Sequence, residues 1–212
     1  MMARRLSALA VVLAAACVVL AACSFGRTPP VSYFRLVEPP CRSAARAYPY
    51  TVAMIPLRAT SVYQQTAVLY GPSPYELDHY SSSRWEATPA EMVTDQLQGY
   101  LQRCGLFATV TRQGLATHPD LVLQGRVTRF EEDDTEGGPL AVLHVDLQLS
   151  CLLTPRVVWQ GRVEASAPMQ GHSPQEVARA MSVALDSALK DVVARLVPAL
   201  DQLQASGGCG RP

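Results

Sequence analysis

Residues 143–151 read LHVDLQLSC, and apolar and polar side chains alternate through the whole stretch. One face of the predicted strand carries the apolar set: Leu143, Val145, Leu147, Leu149 and Cys151. The other face carries the polar set: His144, Asp146, Gln148 and Ser150. Such alternation is typical of an antiparallel strand with one face on the core and the other in water. The stretch therefore predicts a half-buried sheet.

The segments on either side repeat this pattern. In DLVLQGRVTRFEE (120–132) the apolar face is interrupted by Gly125, where we predict a bulge. In VVWQGRVEA (157–165) alternate residues again face inward, Trp159 among them. Three successive strands of this kind predict an antiparallel meander.

The first half of the chain contains shorter strand-like runs, separated by Gly and Pro. They are VSYFRLV (31–37), TVAMIPL (51–57), TAVLYG (66–71), YELDHY (75–80) and LFATVT (106–111). The GPSP sequence between the third and fourth runs predicts a hairpin.

Two amphipathic helices are predicted from their capping residues. Thr88 and Glu91 form a T-x-x-E capping box around Pro89, and Gly105 provides the stop signal of the first helix. The second helix begins with the same type of box, at residues 173–176, and its apolar residues recur with a period near 3.6.

Pro198 is expected to end or kink that second helix. Helices and strands together predict an α+β fold, in which two amphipathic helices pack on one face of a mostly antiparallel sheet. This arrangement is a two-layer sandwich.

The N-terminus is typical of a bacterial lipoprotein. Residues 1–22 contain two arginines and then an apolar run, as in a secretory signal peptide, and end before Cys23 in the sequence LAAC. LAAC resembles a lipobox, which implies that Cys23 becomes the acylated first residue of the mature chain. Cys17 is a weaker candidate, and the alternative is an ordinary cleaved signal. Ser24 favours sorting to the periplasmic face of the outer membrane.

We therefore divide the chain into four segments. A signal peptide (1–22) is followed by a short lipidated tether (23–30), a single domain (31–204) and a flexible C-terminal tail (205–212). Nearly half of the residues are hydrophobic, at 49%, which is enough to build a core. Removal of the signal leaves 16 basic and 18 acidic residues, and no basic run that would favour nucleic acid as a partner.

Four cysteines follow the lipobox, and an oxidising periplasm permits disulfides between them. They are Cys41, Cys104, Cys151 and Cys209. Four cysteines allow three pairings, and Cys104 and Cys151 fit equally well as core residues at the ends of apolar faces. Their spacing does not suggest a metal site.

Two stretches hold candidate chemistry. In YELDHYSSSRWEATPAEM (75–92), Glu76 and Asp78 share strand parity and could act as an acid–base pair, but the alternation is also that of a half-buried strand. In EEDDTEGG (131–138), clustered carboxylates suit calcium, but the pattern favours a solvated hairpin loop. The four histidines are scattered, and no P-loop, G-x-S-x-G or H-E-x-x-H motif occurs. We predict a protein that is not an enzyme and uses no metal or cofactor.

The order of these features resembles the ABC-type transport auxiliary lipoproteins, a family that includes paraquat-inducible lipoprotein C. The lipobox precedes a YF-x-L strand, and the most specific tract runs from Val68 to Met92. That tract contains RW-E-x-x-P before a helix: Arg84, Trp85, Glu86 and Pro89. These four residues match the family pattern in a structural role, and the family supplies no catalytic residue.

The resemblance implies a non-enzymatic component of a lipid-transport system. Its partners would be a mammalian-cell-entry (MCE) domain protein and, through it, an inner-membrane ABC permease and ATPase. Direct phospholipid binding in a cavity and assembly into a homo-oligomer both stay open. The alternatives are an assembly or plug lipoprotein for an outer-membrane barrel, and a periplasmic hydrolase that uses Glu76 and Asp78.

Overall fold

The computed structural model describes residues 30–210 except 42, 115–117 and 136. The predicted signal peptide and the lipidation residue Cys23 lie outside the described residues. The described strands are β1 (Ser32–Phe34), β2 (Tyr48–Met54), β3 (Arg58–Ala59), β4 (Ala67–Ser73), β5 (Glu76–Trp85), β6 (Phe107–Arg112), β7 (Leu121–Asp133), β8 (Leu140–Cys151) and β9 (Val157–Pro168). The described helices are α1 (Pro89–Cys104) and α2 (Pro174–Ala205), and a 3₁₀ turn spans Ser61–Tyr63.

Strand β7 connects the two arms of the sheet. One of its edges pairs antiparallel with β8 over its whole length, and β9 pairs antiparallel with the far edge of β8. Its other edge pairs parallel with β2, then β3, then β4. Beyond β2 lies β6, and beyond β4 lie β5 and β1.

The α+β class is confirmed, but the prediction of a mostly antiparallel sheet is wrong. Five of the eight strand pairings among the described residues are parallel. The predicted meander is present as β7–β8–β9, and the predicted GPSP hairpin joins β4 to β5. Alternation reveals which face of a strand is buried, and it says nothing about the direction of its partner. Parallel neighbours such as β2 and β6 require a long crossover, which α1 helps to supply.

The bulge predicted at Gly125 lies instead at Thr128, where the register between β7 and β8 shifts. Gly125 has a different reason to be glycine. An added Cβ would overlap the carbonyl oxygen of Asp146 and lie 2.7 Å from Cδ2 of Leu147. The side chain of Leu57 also occupies this space, at 3.2 Å.

Both predicted N-caps are present, although the second lacks one half of its box. Thr88 and Glu91 bond reciprocally at the start of α1, and Gly105 ends that helix in the left-handed conformation (φ 64°). Ser173 accepts from the backbone N–H of Glu176 at the start of α2. The Glu176 carboxylate, however, accepts from Gln170, outside the expected box.

Pro198 does not end the second helix, which continues to Ala205. A proline inside a helix removes the hydrogen bond to the carbonyl four residues earlier. That carbonyl belongs to Ala194, and both Ala194 and Pro198 are exposed, so water can take the place of the missing donor.

Both helices pack on the same face of the sheet and close it. Their apolar residues meet those of β8 and β9 around a void of only about 10 Å³. Val93 and Leu97 of α1 and Leu185 of α2 line it opposite Leu143 and Val163 of the sheet. A void of that size holds about one water molecule, so the helix-covered face is a packed core.

The four cysteines form two disulfides. Cys41 is bonded to Cys104 at the end of α1, with Cα atoms 5.5 Å apart. Cys151 at the end of β8 is bonded to Cys209, with Cα atoms 5.6 Å apart. The second bond attaches residues 206–210, which follow α2, to the sheet.

We expect Gly125→Ala to lower the free energy of unfolding by about 1–3 kcal/mol, since the added methyl group overlaps backbone that cannot easily move. Chemical denaturation followed by circular dichroism would measure this. Gly99→Ala is the matched control, because its Cβ would meet side-chain ends, those of Arg103 and Glu38, and no backbone outside α1. That change should leave stability equal or raise it by about 0.5–1 kcal/mol. Equal effects from the two substitutions would contradict the assigned role of Gly125.

Removal of either disulfide should lower the free energy of unfolding by about 2–4 kcal/mol, because each closes a loop of roughly 60 residues. Paired Cys→Ser variants of each bond would show this in denaturant titrations. Peptide mapping without reduction should recover Cys41 with Cys104 and Cys151 with Cys209. Any other pairing would overturn the assignment.

Candidate functional site

The carboxyl end of β7 carries two buried carboxylates. Glu131 and Glu132 expose only 7% and 1% of their surface. The solvated hairpin loop predicted for residues 131–138 is therefore wrong for its first three residues, which belong to β7. Because successive side chains of a strand point to opposite faces, the two glutamates lie on opposite sides of the sheet.

Glu132 lies on the side covered by the helices and joins three elements. It accepts a hydrogen bond from the hydroxyl of Tyr80 in β5 at 2.6 Å. Its other oxygen lies 2.9 Å from Nδ1 of His172, in the turn before α2. Burial and this hydrogen bond raise the pKa of Tyr80, so the phenol stays protonated and donates.

Glu131 lies on the outer side and makes an equivalent set of bonds. The hydroxyl of Tyr63 donates to it at 2.5 Å, and Nε of Arg129 donates at 2.6 Å. Arg129 also donates to Asp133 at 2.7 Å. Burial tends to raise the pKa of Asp133, but hydrogen bonds from Thr135 and Arg129 outweigh it and lower that pKa. One guanidinium therefore bonds to both carboxylates.

We call this set of residues the acid–tyrosine cluster: Glu131, Glu132, Asp133, Tyr63, Tyr80, Arg129 and His172. A buried charge is tolerated only when it is paired and hydrogen-bonded, and each buried glutamate here has two partners. The cluster thus links β5, β7, the 3₁₀ turn and the approach to α2. Its geometry is that of a structural junction.

Next to the cluster lies a cleft of about 520 Å³ between the β4–β5 turn and the end of β7. Glu76 lines this cleft, together with Arg129, Glu131 and Asp133. Two of its three carboxylates accept hydrogen bonds from Arg129. The oxygens that a calcium ion would need are thus engaged by an arginine.

The structure does not bring Glu76 and Asp78 into one cleft. Asp78 accepts from the hydroxyl of Tyr70 at 3.1 Å and from the backbone N–H of His79 at 2.7 Å. These two hydrogen bonds lower the pKa of Asp78. A general acid at neutral pH needs a raised pKa, so this environment is opposite to the one the acid–base hypothesis requires.

The four residues of the RW-E-x-x-P tract lie at the junction between β5 and α1. Trp85 is buried, and its ring meets Phe130 of β7 edge-on, with centroids 5.2 Å apart. Arg84 donates to backbone carbonyls of its own strand, and Glu86 lies 3.5 Å from Arg35 at the surface. Pro89 is the first residue of α1.

Sequence reasoning missed Tyr63, Tyr80 and His172, because these residues reach the glutamates from 68, 52 and 40 positions away. One local signal was present. Beyond the bulge at Thr128, Glu132 lies two residues after the buried Phe130, so both side chains point to the inward face of the strand.

The described residues form an α+β domain whose buried glutamates are bonded to side chains of the same chain. Residues 34–193 match the family described as ABC-type transport auxiliary lipoprotein component. The chain belongs to this family, which confirms the resemblance drawn from the sequence. Among the described residues, no helix has the length and apolar content needed to cross a bilayer.

Solved structures show the same fold. Protein XCC0632 from Xanthomonas campestris is 20% identical, with a TM-score of 0.74 over 82% of this chain and 99% of that one. An uncharacterized protein is 12% identical, with a TM-score of 0.62 over 78% and 97%. The hypothetical protein CT253 from Chlamydia trachomatis is 11% identical, with a TM-score of 0.51 over 72% and 98%. No curated protein matches the sequence.

The contact between His172 and Glu132 predicts a pH-dependent contribution to stability. The hydrogen bond to Glu132, and the charge of Asp134 next to it, raise the pKa of His172 above its ordinary 6.5. A raised folded-state pKa means that the stabilisation is fully present below 6.5 and is lost as the pH rises through the folded value. His172→Gln should therefore destabilise the protein more at about pH 5.5 than at about pH 8.

Thermal unfolding of wild type and variant at the two pH values would measure this difference. His118→Gln is the control, since His118 is exposed in the segment before β7. If His172→Gln lowered the stability equally at both pH values, the charge of His172 would contribute nothing to the stability of the fold.

Proposed function

We propose that this protein is a lipoprotein, acylated at Cys23 and held at the periplasmic face of the outer membrane. There it acts as a non-enzymatic auxiliary component of an MCE-type lipid-transport system powered by an inner-membrane ABC permease and ATPase. The observation that carries this proposal is the family match over residues 34–193. The lipobox at residues 20–23 supports the anchor.

The packing of the domain favours a scaffold over a carrier that encloses lipid. The void between helices and sheet, about 10 Å³, has no room for an acyl chain. The acid–tyrosine cluster is also closed, since its carboxylates bond to residues of this chain. Partners would therefore meet the domain at its surface.

The proposed anchor limits where that surface can be. Eight residues lie between Cys23 and Ser32 at the start of β1, so the nine Cα–Cα steps of a fully extended tether span about 30 Å. Such a tether keeps the domain in a thin layer beside the bilayer and raises its effective concentration for partners in that layer. Two or more acyl chains are needed for stable anchoring, which lipidation at a first-residue cysteine would supply.

We expect Cys23→Ser to abolish acylation and to move the protein from the membrane fraction to the soluble periplasmic fraction. Mass spectrometry of the mature wild-type chain should show an acylated N-terminal residue at position 23. Cys17→Ser is the control and should leave both the mass of the mature chain and its membrane association unchanged. A mature chain that begins elsewhere, or carries no lipid, would rule out the anchor.

Crosslinking in intact cells, followed by purification in mild detergent, tests the transport role. The wild-type protein should recover an MCE-domain protein, and Cys23→Ser should recover much less of it because the effective concentration falls. Repeated recovery of an outer-membrane barrel instead would favour the assembly or plug role and count against the transport proposal.

A further inference from the structure

The outer face of the sheet carries a cleft of about 1000 Å³ that the acid–tyrosine cluster does not use. Its floor is formed by β7, β8 and β9, and one wall is the connection between β2 and β3. This is the face that neither helix covers, so the cleft is open to solvent. A cleft of this size falls in the range of small-molecule sites.

Two arginines that form neither a hydrogen bond nor an ion pair within the described residues line this cleft on neighbouring strands. Arg58 of β3 and Arg126 of β7 are register partners on neighbouring parallel strands, and both line the cleft. Within the described part of the chain, neither guanidinium forms a hydrogen bond or an ion pair. Adjacent strands are about 4.8 Å apart, so the two cations stand within reach of each other. Like charges placed directly opposite on a sheet destabilise it.

The one carboxylate in the lining acts on Arg126 through its charge but makes its hydrogen bonds to a different arginine. Asp146 of β8 is the register partner of Arg126, but its two oxygens accept from Nε and Nη2 of Arg162, at 2.6 and 3.0 Å. This two-point contact uses the geometry in which arginine binds carboxylate most strongly. Successive register partners across β3, β7, β8 and β9 thus form one row of charged residues. This row contains three cations and one anion: Arg58, Arg126, Arg162 and Asp146.

A second row beside it supplies neutral hydrogen-bonding groups. Gln124, Gln148 and Gln160 are successive register partners across β7, β8 and β9, and all three line the cleft. No hydrogen bond within the described residues engages their amides. Each amide offers both donors and an acceptor, as hydroxyl groups require.

We propose that this cleft binds a phosphate-bearing small molecule, with its oxyanion between Arg58 and Arg126 and its hydroxyl groups against the glutamine row. A single tetrahedral phosphate presents several oxygens and can take both guanidiniums at once. A phosphate ester carries close to two negative charges on three free oxygens, whereas a carboxylate carries one charge on two oxygens, so phosphate matches two neighbouring cations better than a single acidic side chain does. The cleft is larger than a phosphate ion, so it has room for the polar group that carries it.

The proposal depends on the charges of the cleft and not on lipidation or on an MCE partner. Its test uses the lipidated chain in neutral detergent, with three probes: inorganic phosphate, sn-glycerol 3-phosphate, and phosphatidylglycerol mixed into the micelles. Thermal unfolding reports binding, because a ligand of the folded state raises the unfolding temperature with its concentration. Phosphorus NMR line widths give a second reading.

We expect wild type to bind sn-glycerol 3-phosphate. Arg58→Gln and Arg126→Gln should each weaken that binding about tenfold, and the double variant about 100-fold. Without ligand, both variants should stay folded, because neither guanidinium makes a hydrogen bond or an ion pair within the described residues. The matched control is Arg179→Gln in α2, whose guanidinium is paired with Glu176 on the helical side of the sheet.

Phosphatidylglycerol that displaces the soluble ester would identify a lipid headgroup as the source, and binding of the soluble probes alone would identify a free phosphate or phosphate ester. No stabilisation of wild type by any of the three probes would overturn the proposal. So would a double variant that binds as wild type does, or an equal loss in the Arg179 control.

Discussion

Strand β7 hydrogen-bonds to β8 along one edge and to β2, β3 and β4 in turn along the other. Buried backbone groups must be paired, so one long strand has to satisfy four partners that arrive from different parts of the chain. The arm that ends in β6 and the arm that ends in β1 both depend on it. Two irregular positions in β7 follow from this arrangement. Gly125 admits Leu57 where the chain passes from β2 to β3, and Thr128 absorbs the change in register.

The acid–tyrosine cluster completes the same junction. At the end of β7, the hairpin of β4 and β5, the 3₁₀ turn and the approach to α2 all converge, and Glu131 and Glu132 bond to each of them. Hydrogen bonds between charged and polar side chains are directional, whereas apolar contacts are not. Breaking a buried pair leaves an uncompensated charge, so an incorrectly docked hairpin would be strongly penalised. Trp85 adds an apolar contact at the same place, edge-on to Phe130.

Much of this fold could be predicted from the sequence, because the relevant signals are local. The capping box at Thr88 and the buried face of β8 both depend on residues a few positions apart. Strand order and direction depend on contacts across the whole chain, and for that reason the parallel pairings of β7 were missed. The same holds for the burial of Glu132, whose partners lie 40 and 52 positions away. In the linear sequence, Arg58 and Arg126 are two exposed residues, and only the β3–β7 register makes them neighbours.

The two faces of the sheet differ in how much of their surface is open to solvent and to other molecules. The helices close one face down to a void of about 10 Å³. They also reach the open edge of β9, where Arg195 donates to the carbonyl of Arg162 at 3.0 Å and Arg179 donates to that of Pro168 at 3.3 Å. An added strand would need those acceptors, so the two arginines make the edge a poor template for pairing. What stays accessible is the outer face of the meander, with its row of glutamines and its unpaired arginines. A domain that encloses nothing in its core can act on other molecules only through such a surface, and this face has the charge and the concavity to do so.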